Sequence, residues 1–265
     1  MKVFREKDMN ELKKSKLIKI LDQLGFKQSA LDLKNWNVMD SLTTSIDDIL
    51  NKKEEDKHFL FCVRHGATDL NGSNSSPDRI RGWTDVPLND KGRKDAENAG
   101  HRLDSLIKHD KVLIIHSDLS RTKETAEIIK KIIGKNRDVK MESSEDLRPW
   151  NLGELQGKLT KDVLPQMNKM IEEGKTKPKG GESFDTFRER YLSKLNDSFK
   201  YLDKFCVVFV CHYRNVKISE AWVKNGAKKD YSIDDKTMEK DDIHTGEIIR
   251  LNHDKTYTPD LERKK

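Results

Sequence analysis

The feature that most constrains this chain is an apolar run over 58–63 that stops abruptly at Arg64-His65-Gly66. Its aromatic and β-branched residues, closed by a glycine turn, predict a strand that is covered on both faces. Two later runs follow the same plan, Val112–Ile115 before His116 and Cys206–Cys211 before His212. In an open α/β sheet a ligand lies beyond the carboxyl ends of the strands. The three strand-end histidines therefore predict an active site at one edge of a sheet.

Amphipathic segments lie between and after these strands. Apolar spacing predicts helices over 90–108, 121–133, 163–173, 184–202 and 216–223, and a returning edge strand over 243–251. Alternating strands and helices are typical of an α/β domain. Residues 58–255 are therefore predicted to form one α/β domain, and 256–265 a frayed tail.

Residues 1–57 precede the first strand and are predicted to form a helical extension. Its apolar residues recur at helical spacing, at Leu17, Ile20, Leu21 and Leu24. Two interpretations stay open. Either this stripe packs against the α/β domain, or it attaches the protein to a protein partner or to further copies of the chain.

Composition narrows the range of partners. Only 34% of the 265 residues are apolar and 37% are charged, so much of the apolar content must sit in the few predicted strands and helices. The formal charge of +6 is spread over 52 basic and 46 acidic residues, and no basic block interleaved with aromatics marks a nucleic-acid groove. We therefore predict no nucleic-acid partner.

Cysteine usage and hydropathy predict a cytoplasmic protein. Cys62, Cys206 and Cys211 have no metal-type spacing and are expected to be reduced core residues. No apolar segment is long enough to span a membrane, and the amino terminus lacks the apolar core of a signal peptide. We expect no membrane association.

Further motifs follow the first histidine in a fixed order. They are 81–89 (RGWTDVPLN), Ser117-Asp118-Leu119-Ser120-Arg121-Thr122, Gly180-Gly181-Glu182-Ser183 and His212. Together with Arg64-His65-Gly66, their order and spacing resemble the histidine phosphatase superfamily, the phosphoglycerate-mutase-like proteins, over about residues 58–253. The resemblance implies a three-layer α/β sandwich, with a mostly parallel central sheet flanked by helices.

The resemblance also implies roles for individual residues. His65 is expected to attack phosphorus and to hold the phosphoryl group as phosphohistidine. Arg64, Arg121 and His212 are expected to surround the phosphate, with Asn71 as a neutral donor. These types suit the reaction, because its transition state spreads negative charge over oxygens that forked guanidinium donors can bind. Neither a metal ion nor a cofactor is expected, and no Asp/His cluster has ligand spacing.

One departure from the family pattern concerns the acid that protonates the leaving oxygen. The family's leucine-arginine-glutamate motif is matched at 147–148, but Pro149 stands in place of the glutamate. Proline can neither give nor take a proton. Glu154 on the same loop is the nearest replacement, with Asp69 and Glu182 behind it. Alternatively, Glu154 is an exposed loop residue and Glu182 belongs to a helix start.

These residues predict a metal-independent phosphatase that hydrolyses monoesters of small phosphorylated molecules through phosphohistidine on His65. Two alternatives stay open. A phosphotransferase of the phosphoglycerate mutase type would have to protect the phosphorylated enzyme from water. A phosphate-binding or scaffolding module with little turnover would account for Pro149 instead.

Overall fold

The structure is a computed structural model that describes residues 58–72, 76–234, 238 and 242–256. Two units are distinguished along the chain, Met1–Lys57 and His58–Lys265, and all described residues belong to the second. The predicted helical extension and most of the predicted tail lie outside the described residues. Within the described part, no helix is long and apolar enough to cross a membrane.

A five-stranded sheet forms the centre of the domain. Its strands are β1 (Leu60–Arg64), β2 (Lys111–His116), β3 (Asp138–Ser143), β4 (Cys206–Cys211) and β5 (Ile248–Leu251). The order across the sheet is β3-β2-β4-β1-β5. All neighbouring pairs are parallel except β1 with β5, which is antiparallel. The predicted mostly parallel α/β sheet is confirmed.

Five helices cover the two faces of this sheet. They are α1 (Asp90–Leu106), α2 (Ser120–Ile133), α3 (Thr160–Glu173), α4 (Phe184–Ser198) and α5 (Tyr213–Lys224), with short 3₁₀ turns at Glu145–Leu147, Gly153–Leu155 and Phe199–Asp203. Local caps explain two of the starts. The Asn89 side chain accepts a hydrogen bond from Gly92 N at α1, and Ser183 accepts one from Thr186 N at α4.

The strand residues divide the core into two layers. Leu60 and Cys62 of β1 pack with residues of α3, α4 and α5, whereas Phe61 and Val63 pack with residues of α1 and α2. This alternation follows from the pleat, which turns successive side chains to opposite faces. Because both faces are covered, the buried strands can be apolar throughout, as β1 and β4 are. The predicted three-layer sandwich is confirmed.

Two strands differ from the sequence prediction. Strand β3 was not predicted, because it is a half-exposed edge strand in which only Val139 and Met141 are apolar. The returning strand β5 is shorter than the predicted 243–251. Its first residues form a turn instead, in which Gly246 adopts a φ of 75°, a conformation that favours glycine.

Candidate active site

The sheet brings the ends of β1 and β4 level with each other. Arg64 pairs with Cys211, and His65 N donates to Cys211 O at 3.0 Å. The residues that directly follow these two strands, His65 and His212, therefore lie at the same edge of the sheet. The ring centroids of His65 and His212 lie 5.2 Å apart, and both side chains are buried.

A short hydrogen bond fixes the tautomer of His65. Its Nδ1 lies 2.7 Å from the carbonyl oxygen of Gly66. A carbonyl can only accept, so the hydrogen is on Nδ1 and the lone pair of the neutral ring is on Nε2. Gly66 itself must lack a side chain, because a Cβ there would lie 2.1 Å from the carbonyl oxygen of Gly92. The loop thus packs backbone against backbone beneath the histidine.

The second histidine is held from both ring nitrogens. Arg121 Nε donates to His212 Nδ1 at 3.3 Å, and His212 Nε2 lies 2.9 Å from Ser117 Oγ. Because a guanidinium nitrogen can only donate, His212 carries its hydrogen on Nε2 and donates it to Ser117. Ser117 Oγ in turn lies 2.7 Å from Thr122 Oγ1. His212 is therefore locked in one orientation.

Arg121 is the most buried cation of the site, with 1% of its surface exposed. Its Nη1 donates to Thr84 O at 2.9 Å, and its Nη2 donates to Gly82 O at 2.8 Å. Neither partner is charged, so within the described part of the chain the positive charge is not neutralised by an ion pair. At the start of α2, the backbone N and the Oγ of Ser120 both donate to the carboxylate of Asp85. This helix end therefore already has an anionic partner.

Arg64 has a donor without a partner. Its Nη1 donates to Ile243 O, and its guanidinium lies 5.1 Å from the centre of the Tyr213 ring. The Nε atom is buried and has no hydrogen-bond partner within the described part of the chain. An unpaired buried donor is costly, and an anionic ligand would remove that cost.

The electrostatics of the cluster favour neutral histidines beside charged arginines. Burial, with the charges of Arg121, Arg64 and Arg81, holds the pKa of His65 well below its usual value. Burial and the same arginines lower the pKa of His212. Burial and Arg81 lower the pKa of Arg64 to about 10 and that of Arg121 to about 9. Both guanidinium groups remain charged at neutral pH, so the site carries an excess of positive charge.

These groups face a cleft of about 480 Å³. Its cationic end is lined by Arg64, His65, Arg81, Arg121 and His212. The rest of the lining combines apolar side chains with polar ones, which include Asp78, Asp242, Arg214 and His244. A concave site with cations at one end and an apolar wall is suited to a small organic anion.

The family match is consistent with this geometry. Residues 60–231 match the pattern of the histidine phosphatase superfamily (branch 1), a span that contains both histidines and both arginines. The chain belongs to this superfamily. The resemblance seen in the sequence is confirmed.

Two relatives from different organisms match parts of the chain. "Phosphoglycerate mutase-like protein 4" of Arabidopsis thaliana is 34% identical over 152 residues, which are 53% of this chain and 61% of the relative. "Probable phosphoglycerate mutase GpmB" of Salmonella arizonae is 46% identical over 76 residues, which are 28% of this chain and 32% of the relative. The matches thus span less than two thirds of either relative.

Solved histidine phosphatases share the fold. A mycobacterial glucosyl-3-phosphoglycerate phosphatase has a TM-score of 0.56 at 24% identity, covering 73% of this chain and 89% of its own. A putative alpha-ribazole-5'-P phosphatase of Escherichia coli has a TM-score of 0.57 at 18% identity, covering 76% and 94%. At these identities the likeness extends to the fold alone.

Other residues predicted from the sequence lie outside the cleft. Asn71 lines a neighbouring hollow with Arg64, and its Oδ1 accepts hydrogen bonds from Thr68 N and Oγ1 at 2.9 and 3.1 Å. His116 is buried but does not line the cleft, and its Nδ1 contacts Ser117 O at 2.6 Å. The expectation of three histidines in one site therefore holds for two of them. The role of Asn71 stays a prediction.

The three carboxylates that could replace the missing acid are also absent from the cleft wall. Glu154 is exposed, and Asp69 accepts a hydrogen bond from Asn89 Nδ2 at 3.2 Å. Glu182 accepts from Asn151 N at 2.9 Å and from Arg190 Nη2 at 2.8 Å. The geometry of Glu182 is that of a structural residue, one that ties two loops together.

Pro149 lies in the cleft wall, and its loop is held firmly. Trp83 Nε1 donates to Pro149 O at 2.8 Å. Arg148 lies 4.6 Å from the centre of the Trp83 ring and forms an ion pair with Asp118. The loop is thus tied to its neighbours, and position 149 offers no side chain that can transfer a proton.

Sequence reasoning missed two residues that serve the site. Arg81 belongs to the cationic end, where Nη1 donates to Leu70 O at 2.8 Å and to Asp78 at 3.3 Å. Ser117 orients His212. Both residues lie within motifs identified in the sequence. The sequence alone did not indicate that they contribute to the site. Only the contacts distinguish them from their neighbours.

Proposed function

We propose that this protein is a phosphatase that hydrolyses phosphate monoesters through a phosphohistidine on His65. The observation that supports the proposal most strongly is the state of His65. Its Nδ1–H is bound to Gly66 O, which leaves an unprotonated Nε2 in the same cleft as the guanidinium groups of Arg64 and Arg121. This is the arrangement that in-line attack on a phosphate requires.

The first step forms a bond between His65 Nε2 and phosphorus and breaks the bond between phosphorus and the ester oxygen. Arg64 and Arg121 stabilise the charge that spreads over the equatorial oxygens, and the unpaired Nε of Arg64 binds one of these oxygens. Gly66 O supports the reaction as well, because it accepts the Nδ1 hydrogen of a ring that becomes positively charged.

The second step transfers the phosphoryl group to water, which releases inorganic phosphate and restores the neutral imidazole. His212 has both nitrogens engaged before a ligand enters. The charge of a bound phosphate raises the pKa of His212. Proton uptake at Nδ1 would require Arg121 Nε to give up its hydrogen bond to that atom, which would free the Arg121 Nε–H for the ligand. The site therefore has a group that can respond to the charge of its ligand.

The names of the two relatives favour a second candidate, a phosphoglycerate mutase activity. A mutase would return the phosphoryl group to a second acceptor rather than to water. The two candidates are distinguished by incubating the protein with 3-phosphoglycerate. Release of inorganic phosphate supports hydrolysis, and formation of the 2-phospho isomer supports the mutase.

Trapping the intermediate tests the proposal. The protein is mixed with radiolabelled p-nitrophenyl phosphate, quenched in alkali, and examined for acid-labile label. The wild type and the exposed-histidine control His101→Ala should both be labelled and active. His65→Ala should lose the label and nearly all turnover. Persistent label on His65→Ala would contradict the assignment.

A further inference from the structure

Part of the wall of the cleft is apolar. Its apolar side chains are Ile80, Pro149, Trp150, Leu152, Leu164 and Met167. They come from the loop after β1, the Pro149 loop and α3. Because three separate segments contribute to it, this wall is a feature of the fold and not the effect of a single residue.

Leu164 is the most informative member of this wall. With 41% of its surface exposed, it is the only exposed large hydrophobic side chain in the described part of the chain. Its neighbours on α3 that face the core are Val163, Met167 and Met170. Leu164 does not belong to that buried set, so packing of the helix does not account for it. It extends the apolar wall towards the mouth of the cleft.

Of the polar groups that line the cleft, Thr160, Asp78, Tyr213 and Asp242 already have partners. Thr160 Oγ1 donates to Asp78 Oδ2 at 2.5 Å, and Asp78 also accepts from Arg81. Tyr213 OH donates to Asp242 Oδ1 at 3.1 Å. A sugar body would place several hydroxyls against apolar carbon and against groups that are already bonded. An apolar alcohol body in the same place would leave no buried hydroxyl without a hydrogen-bond partner.

We propose that the cleft selects monoesters whose alcohol is an apolar aliphatic or aromatic body, which lies against the wall formed by Ile80, Trp150, Leu152, Leu164 and Met167. This inference rests on the proposed phosphatase function for its catalytic consequence. The binding preference itself follows from the wall and the cation cluster, and it holds without turnover.

The binding test uses n-alkyl phosphonates, which carry the anionic head and cannot be hydrolysed. Calorimetry should show the affinity rising about threefold for each methylene added from ethyl to octyl, until the cleft is filled. An affinity that does not change with chain length, or tighter binding of a hydroxylated phosphonate of equal size, would overturn the inference. A protein without any turnover would still give this result.

The kinetic test uses n-alkyl phosphates over the same range, because their alcohols differ little in acidity. The value of kcat/KM should rise with chain length by a similar factor. Turnover of p-nitrophenyl phosphate without any chain-length dependence would overturn the apolar site and leave the phosphatase intact. Absence of all turnover together with chain-length-dependent binding would overturn the phosphatase and leave the site.

Variants of α3 locate the effect. Leu164→Gln removes apolar surface at an exposed position, so the fold should be preserved. The gain per methylene should fall by about half, with little change for ethyl phosphate. The matched control is Lys169→Gln, an exposed residue of the same helix that does not line the cleft. An equal effect of both variants would contradict a role for this wall.

Discussion

The two ends of the cleft are built in different ways. At the phosphate end, His65, Arg121 and His212 are buried at strand or helix ends, and each is tied to backbone or to a neighbouring side chain. At the leaving-group end the wall comes mostly from loops and α3, and Pro149 offers only a carbonyl, which Trp83 already binds. Under the proposed function, the comparison assigns phosphoryl chemistry to the buried sheet edge and the choice of alcohol to the connecting segments.

The largest effect at the phosphate end is expected from Arg121. Replacing it with alanine removes a cation fixed by Gly82 O and Thr84 O, so kcat/KM should fall on the order of 10²-fold or more. Arg121→Lys should recover little, because an ammonium group cannot reproduce the forked geometry. Steady-state kinetics with p-nitrophenyl phosphate measure the loss.

The matched control for Arg121 is Arg93→Ala. This arginine is half exposed and pairs with Glu124 on the surface. Its loss should leave kcat/KM within about twofold of wild type. A loss under threefold for Arg121→Ala would place Arg121 outside the phosphate site and remove the basis of the comparison.

The next effect concerns the leaving-group end. General acid catalysis contributes about 10²- to 10⁴-fold, mainly for alcohols that leave poorly. Without an acid at Pro149, log kcat/KM should fall steeply as the pKa of the leaving group rises. Aryl phosphates should therefore be hydrolysed far faster than alkyl phosphates. A series of substituted phenyl and alkyl phosphates gives the slope.

The variant Glu154→Gln tests the alternative that Glu154 is the general acid. Because Glu154 is exposed and does not line the cleft, the change should leave all rates within about twofold. A flat dependence on leaving-group pKa would contradict the missing acid. If the alkyl rate were also lost in Glu154→Gln while the aryl rate was kept, Glu154 would be the acid.

A smaller effect is expected on stability at the phosphate end. Burial and the arginines hold the pKa of His65 and His212 below that of an unfolded chain, which is about 6.5. Below about pH 6.5 the unfolded state therefore binds more protons than the folded state. Stability is fully present above this pH and is lost as the pH falls.

Urea unfolding in phosphate-free buffer at pH 7.5 and pH 5 measures this difference. His212→Gln should lower the pH dependence of the unfolding free energy, and His101→Gln at an exposed position should not. An equal pH dependence in His212→Gln and wild type would show that the buried cluster is not the source.

The smallest effect is expected from removing residues 1–53. The first motif strand begins at Leu60, so a chain that starts at Glu54 should keep its activity within about twofold. Light scattering compares its mass with that of the full chain. Aggregation would show that the stripe from Leu17 to Leu24 belongs to the core. An active protein with a smaller assembly would favour the attachment interpretation.

The sequence predicted the parts of this fold that have a strong pattern. Strands β1, β2 and β4 lie between two helical layers, so their apolar runs were conspicuous. Strand β3 lies at the sheet edge, where Val139 and Met141 alternate with exposed residues. That alternation was a signal for a strand, but it is weaker than a continuous apolar run.

Of the three predicted histidines, only the two that directly follow a strand end line the cleft. His65 and His212 come one residue after neighbouring strands. His116 is still within β2 and pairs with Val210, so the pleat turns it to the side of Ile114 and the α1–α2 layer. The carbonyls that bind the arginines could not be predicted, because every residue carries one.

The strand order has a consequence for how the chain reaches its fold. Leu60 of β1 pairs with Val207 on one side and Leu251 on the other, so the first of the described strands is completed by the last two of them. Until those residues leave the ribosome, both edges of an apolar strand stay open. Such unpaired edges promote aggregation of nascent chains. Chains that end before β4 should therefore be insoluble, and dependence on chaperones should be greatest late in synthesis.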